Sequence, residues 1–246
     1  MAKKIKDGVD YRAPMYLQLR EVIRTKIEEG EFLPGEAIPS ENALAQQYGL
    51  NRMTVRNAIS TLVNEGLLIR VHGKGVYVIG NKLEQKIQTQ GGFTEATIEK
   101  DRKWDSKILQ KSYREAGEKY AALFGVEKQS RIYFIRKMFY LNGEPYSIEE
   151  SHIPEWVVPN LDKIDLAVFS IDEIYPFHDI RVAREEQRLT VAVPDPMDAR
   201  ILKLDPGVAV LILSYIKYND DNRAVEDRTI FTRADKCNFK VSYRRR

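Results

Sequence analysis

Residues 38–58 read IPSENALAQQYGLNRMTVRNA, an order that predicts two short helices separated by a tight turn. Ser40 is a good N-cap for a helix over Glu41–Tyr48, because its hydroxyl can accept a hydrogen bond from the first turn. Gly49 ends that helix, and Asn51 can cap the next one. The stretch therefore predicts a helix-turn-helix.

The flanking residues extend this motif into a compact module. Upstream, Pro14 can occupy the first position of an earlier helix that ends at Gly30. Downstream, residues 67–71 and 76–79 are rich in strand formers, and the glycines within 72–75 favour a tight hairpin between them. Three short helices followed by a hairpin predict a winged helix-turn-helix.

The third helix is expected to have one apolar face and one cationic face. Val55, Ile59 and Leu62 form the apolar stripe, whereas Arg52 and Arg56 are four residues apart and project together from another face. The planar fork of an arginine can pair with the O6 and N7 acceptors of guanine in the major groove. This face predicts a recognition helix for double-stranded DNA.

Other polar groups of the module suit the DNA backbone. Asn51 and Thr54 are short side chains near the helix start, where they can contact phosphate oxygens. Gly73 would allow the hairpin tip to approach a minor groove closely, and Lys74 beside it can neutralise a phosphate. Each feature alone is common on solvated surfaces, so the prediction rests on their combination.

The remainder of the chain has a different pattern. Residues 1–79 would form the DNA-binding domain, residues 80–90 a polar linker, and residues 91–246 an α+β domain built on an antiparallel sheet. Asn142-Gly143 is a strong hairpin signal in the second domain. Strands are predicted there at 131–141, 146–153, 208–218 and 224–232, and helices at 114–124 and 196–204.

Composition limits the class of protein. The chain has 246 residues, 43% of them hydrophobic, and a net charge of +3, which is too mild to establish a nucleic-acid partner. No apolar run approaches the roughly 18 residues of a membrane span, and the basic N-terminus lacks the apolar stretch of a secretory signal. A single cysteine, Cys237, fits a reducing cytoplasm. The scattered histidines predict no metal site, and no cofactor is expected.

The N-terminal motifs resemble the DNA-binding domain of the GntR superfamily. The resemblance lies in residues 38–45, 48–58 and 65–68 and in the hairpin tip 73–75. The family commonly has a serine at the position of Asn51 and often a basic residue at that of Asn42. The resemblance implies a DNA-binding surface made of Ser40, Glu41, Asn51, Arg52, Thr54, Arg56, Gly73 and Lys74.

The second domain resembles the effector-binding UTRA domain of the HutC subfamily, which has a chorismate-lyase-like fold. Matching pieces include Gly92-Phe93-Thr94, Asn142-Gly143-Glu144-Pro145 and Val225-Glu226. The resemblance implies a homodimeric transcription factor whose second domain binds a cytoplasmic metabolite and changes the spacing of two DNA-binding domains. The implied effector residues are Phe93, Thr94, Lys137, Glu149, Ser170 and Glu226.

A phosphorylated sugar is one candidate effector, but the chain departs from the pattern of its phosphosugar-sensing relatives. Lys137 stands where these relatives carry an arginine, and Phe139 stands where many of them have a second arginine. Asp172 replaces the tyrosine that is usual in the family. The backbone N–H groups of Gly91-Gly92-Phe93-Thr94 can form a nest for an anion. The alternative for Lys137 and Glu149 is an ordinary cross-strand ion pair.

Two other function classes remain open at this point. The chorismate-lyase-like fold is compatible with an enzyme, although the sequence has no nucleophile elbow and no P-loop. A ligand-independent DNA-binding protein is the other alternative, but the second domain is large for a dimerisation arm. The expectation is a one-component repressor, not an enzyme, that binds an inverted-repeat operator as a homodimer.

Overall fold

The computed structural model describes residues 12–79 and 104–236. Its α-helices are α1 Met15–Glu28, α2 Glu41–Tyr48, α3 Arg52–Asn64, α4 Gly117–Phe124, α5 Ile171–Ile174 and α6 Pro196–Ile201. Its strands are β1 Leu68–Val71, β2 Gly75–Val78, β3 Trp104–Glu115, β4 Arg131–Leu141, β5 Glu144–Pro154, β6 Val182–Ala192, β7 Val210–Asn219 and β8 Ala224–Arg233.

The described residues form two compact units. The first unit contains residues 12–79 and also 163–177, and the second contains 104–162 and 178–236. The predicted linker at 80–90 lies outside the described residues, so the predicted domain boundaries stay a prediction.

The first unit is a winged helix-turn-helix. Helices α1, α2 and α3 pack around a core in which Ile23, Val55, Ile59 and Leu62 have no exposed surface. Strands β1 and β2 form the wing, an antiparallel hairpin. Helix α2 has the predicted bounds, because its cap and its stop are local: Ser40 accepts from the Ala43 N–H, and Gly49 adopts the left-handed conformation.

The second unit is a six-stranded antiparallel sheet in the order β3-β4-β5-β8-β7-β6, with helices on one face. Phe124 at the end of α4 packs with Ile132 of β4, and Leu202 after α6 packs with Met138 and Ile148. We call this side the helix-covered face. The antiparallel sheet and its helices confirm the α+β class.

Two helices predicted for the second unit were wrong in their bounds, and two strands were missed. The helix expected from residue 114 begins at Gly117, because residues 104–115 form strand β3. The helix expected over 196–204 ends at Ile201. Strands β3 and β6 were not predicted, because both lie at sheet edges and carry charged residues in place of a clear apolar alternation.

Candidate DNA-binding and effector sites

Helix α3 has the two faces that its sequence predicted. Val55 and Ile59 are fully buried, whereas Arg52 and Arg56 are exposed, with 65% of the Arg52 side chain open to solvent. The buried stripe fixes the rotation of the helix, so both guanidinium groups belong to its solvent face. This face can present two arginine forks to a partner.

The predicted polar residues at the helix starts act as caps. The Asn51 side-chain oxygen accepts hydrogen bonds from the Thr54 N–H at 2.8 Å and from the Thr54 hydroxyl at 3.0 Å. The Ser40 hydroxyl accepts from the Ala43 N–H at 3.2 Å. Ser40 and Asn51 thus satisfy backbone donors at the starts of α2 and α3 and set where each helix begins.

Glu41 connects the two arginines nearest to it. Its carboxylate accepts from Arg52 Nε at 3.2 Å and from an Arg70 guanidinium nitrogen at 3.0 Å. Partial burial acts to raise the pKa of the Glu41 carboxyl, but the hydrogen bonds from both arginines outweigh it and hold the pKa below its ordinary value. Glu41 therefore stays ionised near neutral pH and positions Arg52.

Arg70 is a participant that the sequence reasoning missed. Besides Glu41, it donates to the Ser60 hydroxyl at 3.0 Å and to the Arg56 carbonyl at 3.3 Å. It therefore ties strand β1 to helix α3 beneath the arginine face. The available signal in the sequence was the excess of positive charge between residues 50 and 75, to which Arg70 contributes.

The wing tip has the predicted geometry, but its lysine has a partner within the chain. Gly73 adopts φ +73°, a left-handed conformation that favours glycine in the tight turn. The Lys74 ammonium donates to the Ala167 carbonyl oxygen at 2.9 Å. Both residues are exposed in the first unit.

The second unit carries a cluster of buried charges on the face opposite to the helix-covered face. We call this side the polar face. Lys137 of β4 lies directly opposite Glu149 of β5, so their side chains leave the sheet on the same side. Glu226 of β8 lies opposite Lys217 of β7, with 3.3 Å between carboxylate and ammonium. Three predicted effector residues, Lys137, Glu149 and Glu226, are therefore on one face.

Sequence reasoning missed the residue that joins them. Arg228 donates to Glu226 at 2.8 Å and 3.1 Å, and another of its guanidinium nitrogens lies 3.9 Å from Glu149. Glu226 is completely buried, and Lys137 and Lys217 retain only 6% and 4% of their exposed surface. The sequence could not reveal this cluster, because its members meet only through the strand register.

Two hydroxyl groups lie in the same rows of the polar face. Ser151 of β5 lies opposite Arg228 of β8 on one side and opposite Ile135 of β4 on the other. Tyr133 is two residues before Ile135 on β4, so its side chain leaves the sheet on the same face. Both residues are at least 98% buried, and neither hydroxyl has a hydrogen-bond partner within the part of the chain that the structure describes. A buried hydroxyl without a partner is costly, so both groups can form hydrogen bonds to polar atoms of a ligand.

The remaining predicted effector residues are not part of this cluster. Phe93 and Thr94 lie outside the described residues, as does Cys237. Ser170 belongs to the first unit, where it forms a capping box at the start of α5 with Glu173. Phe139, half-buried in β4, follows Lys137 on the same side of the strand.

The described residues offer neither a metal centre nor a membrane-spanning helix. Within residues 12–79 and 104–236, no group of three or more histidine, cysteine or carboxylate side chains is arranged to hold a metal ion. In the same residues, no helix combines the length and the apolar character needed to cross a bilayer.

Comparison with known families identifies two domains along the chain. Residues 15–78 match the gntR family of bacterial regulatory proteins, and residues 99–238 match the UTRA domain. The chain belongs to the GntR family and carries a UTRA domain. The resemblance seen in the sequence is therefore confirmed, and the chain is a transcriptional regulator, not an enzyme.

Relatives match along almost the whole chain. The HTH-type transcriptional repressor NagR of Bacillus subtilis (strain 168) is 33% identical over 226 residues, covering 92% of this chain and 93% of NagR. The probable fructoselysine utilization operon transcriptional repressor of Escherichia coli (strain K12) is 27% identical and covers 94% of this chain and 95% of its own length. PhnF from Mycobacterium smegmatis shares the fold, with a TM-score of 0.59, 23% identity and coverage of 95% of this chain and all of that one.

Proposed function

We propose that this regulator is a homodimeric repressor that binds an inverted-repeat operator, with Arg52 and Arg56 reading guanine bases in the major groove. The observation that carries this proposal is the exposed arginine face of α3, in which Glu41 positions the Arg52 guanidinium. Arginine forks match the acceptors of guanine, and two-fold protein symmetry favours a palindromic site. A repressor that binds an operator is expected to act in the cytoplasm.

The DNA proposal is tested by selecting binding sequences from a random duplex library with the full chain. We expect an enriched inverted repeat with guanine-containing half-sites, and a complex with two chains per operator in sedimentation analysis. Enrichment of single, non-repeated sites, or of no sequence at all, would contradict the proposal.

We further propose that the polar face binds a small anionic effector that also carries hydroxyl groups. The polar face carries three cations, Lys137, Lys217 and Arg228, of which the two lysines are buried. The carboxylates beside them are Glu226, Glu149 and the more exposed Glu185, which lies 4.0 Å from Lys217. Cations in such a poorly hydrated site can attract an anionic ligand strongly, because Coulomb interactions are less screened where water is excluded.

The unpartnered hydroxyls support the polyol part of this proposal. Tyr133 and Ser151 can each donate to or accept from a ligand hydroxyl. The name of the Escherichia coli relative, which refers to fructoselysine utilization, agrees with a sugar-derived effector. A phosphorylated sugar combines both features, and Phe139 leaves Lys137 as the main phosphate partner on β4.

The effector proposal is tested by thermal-shift measurements on the full chain with hexose 6-phosphates, the corresponding neutral hexoses and inorganic phosphate. A ligand that binds only the folded protein raises its melting temperature. We expect stabilisation by at least one sugar phosphate and none by the matched neutral sugar. Stabilisation by the neutral hexoses alone would exclude an anionic effector.

A further inference from the structure

The first unit contains a segment from far along the chain. Residues 163–177 pack beside the wing, and Ile164, Leu166 and Ile174 of this segment retain 1% or less of their exposed surface. We call residues 163–177 the latch segment. Its close packing shows that it is an integral part of the first unit.

Gly35, in the turn before α2, makes this packing possible. A Cβ atom at Gly35 would lie 2.8 Å from Cδ1 of Ile174 and 2.9 Å from Cγ2 of Ile164, closer than side-chain atoms normally approach. Gly35 also has φ +83°, which L-residues with side chains rarely adopt. The turn and the latch segment therefore fit only because residue 35 has no side chain.

Tyr77 of strand β2 holds the latch segment by its hydroxyl and by its ring. The hydroxyl donates to Asp165 Oδ2 at 2.9 Å, and the ring meets Phe169 edge-on with 5.8 Å between centroids. Asp165 Oδ1 accepts from the Ala167 N–H at 2.9 Å, which fixes the backbone of the segment. Asp165 thus connects strand β2 to Ala167, whose carbonyl group faces the wing tip.

That carbonyl is the acceptor for Lys74. The ammonium at the wing tip lies 2.9 Å from the Ala167 oxygen, so the latch segment takes a hydrogen bond from the side chain expected to meet a DNA phosphate. The contact is exposed, and such contacts are weak enough to exchange for a fully charged phosphate partner. One lysine then has two alternative acceptors.

We propose that the latch segment competes with DNA for Lys74, and that Tyr77 and Asp165 are the positioning residues that hold it against the wing. The inference rests on the proposed DNA-binding function, since it needs Lys74 to contact a phosphate. Release of the segment frees Lys74 and strengthens binding to any duplex, because phosphate contacts do not depend on base sequence.

The test uses the full chain and a 30-base-pair duplex of random sequence, with binding followed by fluorescence anisotropy over a range of salt concentrations. Tyr77→Phe removes the hydrogen bond to Asp165 without changing the charge. We expect about threefold tighter binding at low salt and a salt dependence steeper by about one phosphate contact. Phe169→Ala, which loosens the segment from its own side, should have the same effect.

Two controls separate the latch from other effects. Tyr48→Phe removes a hydroxyl from the same unit at a position outside the latch, and should bind the duplex like the unsubstituted protein. Adding Lys74→Ala to Tyr77→Phe should remove the gain, because Lys74 is the group that is released. Unchanged binding in both Tyr77→Phe and Phe169→Ala, or a gain that survives Lys74→Ala, would overturn the proposal.

Hydrogen exchange without DNA distinguishes failure of the latch from failure of the proposed function. Tyr77→Phe and Phe169→Ala should each accelerate amide exchange in the wing and in the latch segment together. Acceleration in one region alone would contradict the latch. Joint acceleration with no duplex binding by any variant would remove the DNA-binding function and, with it, the competition for Lys74.

Discussion

Glu41 and Arg52 are joined across the helix-turn-helix by a hydrogen bond of 3.2 Å from Arg52 Nε to a carboxylate oxygen of Glu41. The other carboxylate oxygen accepts from Arg70 at 3.0 Å, so one acidic side chain at the start of α2 orders a cation on α3 and a cation on β1. The Glu41 side chain is only 15% exposed, whereas the Arg52 side chain is 65% exposed. The carboxylate is therefore the fixed partner, and the arginine extends from it toward solvent.

Replacing Glu41 should weaken specific DNA binding without unfolding the module. Glu41→Ala removes the positioning of Arg52, and we expect a loss of about 1–2 kcal/mol in operator binding, measured by gel shift with the selected operator. Glu65→Ala is the matched control, because Glu65 also pairs with two arginines, Arg20 and Arg24, outside the arginine face. A larger loss of operator binding in Glu65→Ala than in Glu41→Ala would contradict the positioning role.

The two buried hydroxyls of the polar face should report on the effector. Tyr133→Phe and Ser151→Ala each remove one hydroxyl that has no partner among the described residues, so neither should destabilise the free protein by more than about 1 kcal/mol. Each should weaken binding of the stabilising sugar phosphate by about 1–2 kcal/mol, measured by calorimetric titration. Ser214→Ala, in which the lost hydroxyl lies near Thr229, is the control. If Tyr133→Phe and Ser151→Ala bound the ligand as tightly as the unsubstituted protein does, the ligand would have to bind elsewhere.

A buried ionic group stabilises the helix-covered face. The Arg136 guanidinium pairs with Asp198 of α6 and lies 3.0 Å from Glu150, and the Arg136 and Asp198 side chains are 12% and 6% exposed. Asp198→Ala removes one of the two carboxylates beside the Arg136 guanidinium and leaves Glu150, so we expect a loss of about 1.5–3 kcal/mol in the free energy of unfolding, measured by urea denaturation.

The control for Asp198 is an exposed ion pair of the same unit. The Glu118 side chain, which pairs with Lys128, is 85% exposed, so Glu118→Ala should change the free energy of unfolding by less than about 1 kcal/mol. Similar losses in the two variants would show that burial does not determine the contribution of the Arg136 pair.

His152 should make the second unit sensitive to acid. Burial, with smaller contributions from Arg114 and Lys119, lowers the pKa of His152 to about 4, and the ring stacks on Tyr120 at 4.4 Å. Because the folded-state pKa is below the unfolded value of about 6.5, the unfolded chain binds the proton first. Stability is fully present above about pH 6.5 and falls as the pH drops toward 4.

This pH dependence can be isolated by substitution. His152→Phe keeps an aromatic ring between Tyr120 and Phe134 but cannot titrate, so its melting temperature should fall less between pH 6.5 and 4 than that of the unsubstituted protein. His72→Phe, at an exposed position of the wing, should leave the pH dependence unchanged. Parallel pH profiles for the unsubstituted protein and His152→Phe would contradict the assignment.

The sequence predicted those parts of the fold that depend on local chemistry. The bounds of α2 follow from the Ser40 cap and the Gly49 stop, and the arginine face of α3 follows from helical spacing. Strand β6 escaped prediction because almost all of its residues are exposed, so it has no buried alternation.

In the candidate effector site, too, some residues were identified from the sequence and others were missed. Lys137, Glu149 and Glu226 were all identified through the family resemblance. Arg228 and Ser151 were missed, because only the register between β5 and β8 places them opposite each other. Sequence spacing carries no information on which strands are neighbours when the chain order and the sheet order differ.

Base reading by the arginine face is tested most directly by replacing Arg52 with alanine and measuring how well the protein still distinguishes its operator from other duplexes. The measurement compares the affinity of Arg52→Ala and of the unsubstituted protein for the selected operator and for a duplex in which the half-site guanines are exchanged. We predict that Arg52→Ala loses about 1–3 kcal/mol of binding free energy on the operator and changes little on the exchanged duplex. The difference in affinity between the two duplexes therefore becomes smaller. Unaltered discrimination by Arg52→Ala would contradict the reading of bases by the arginine face.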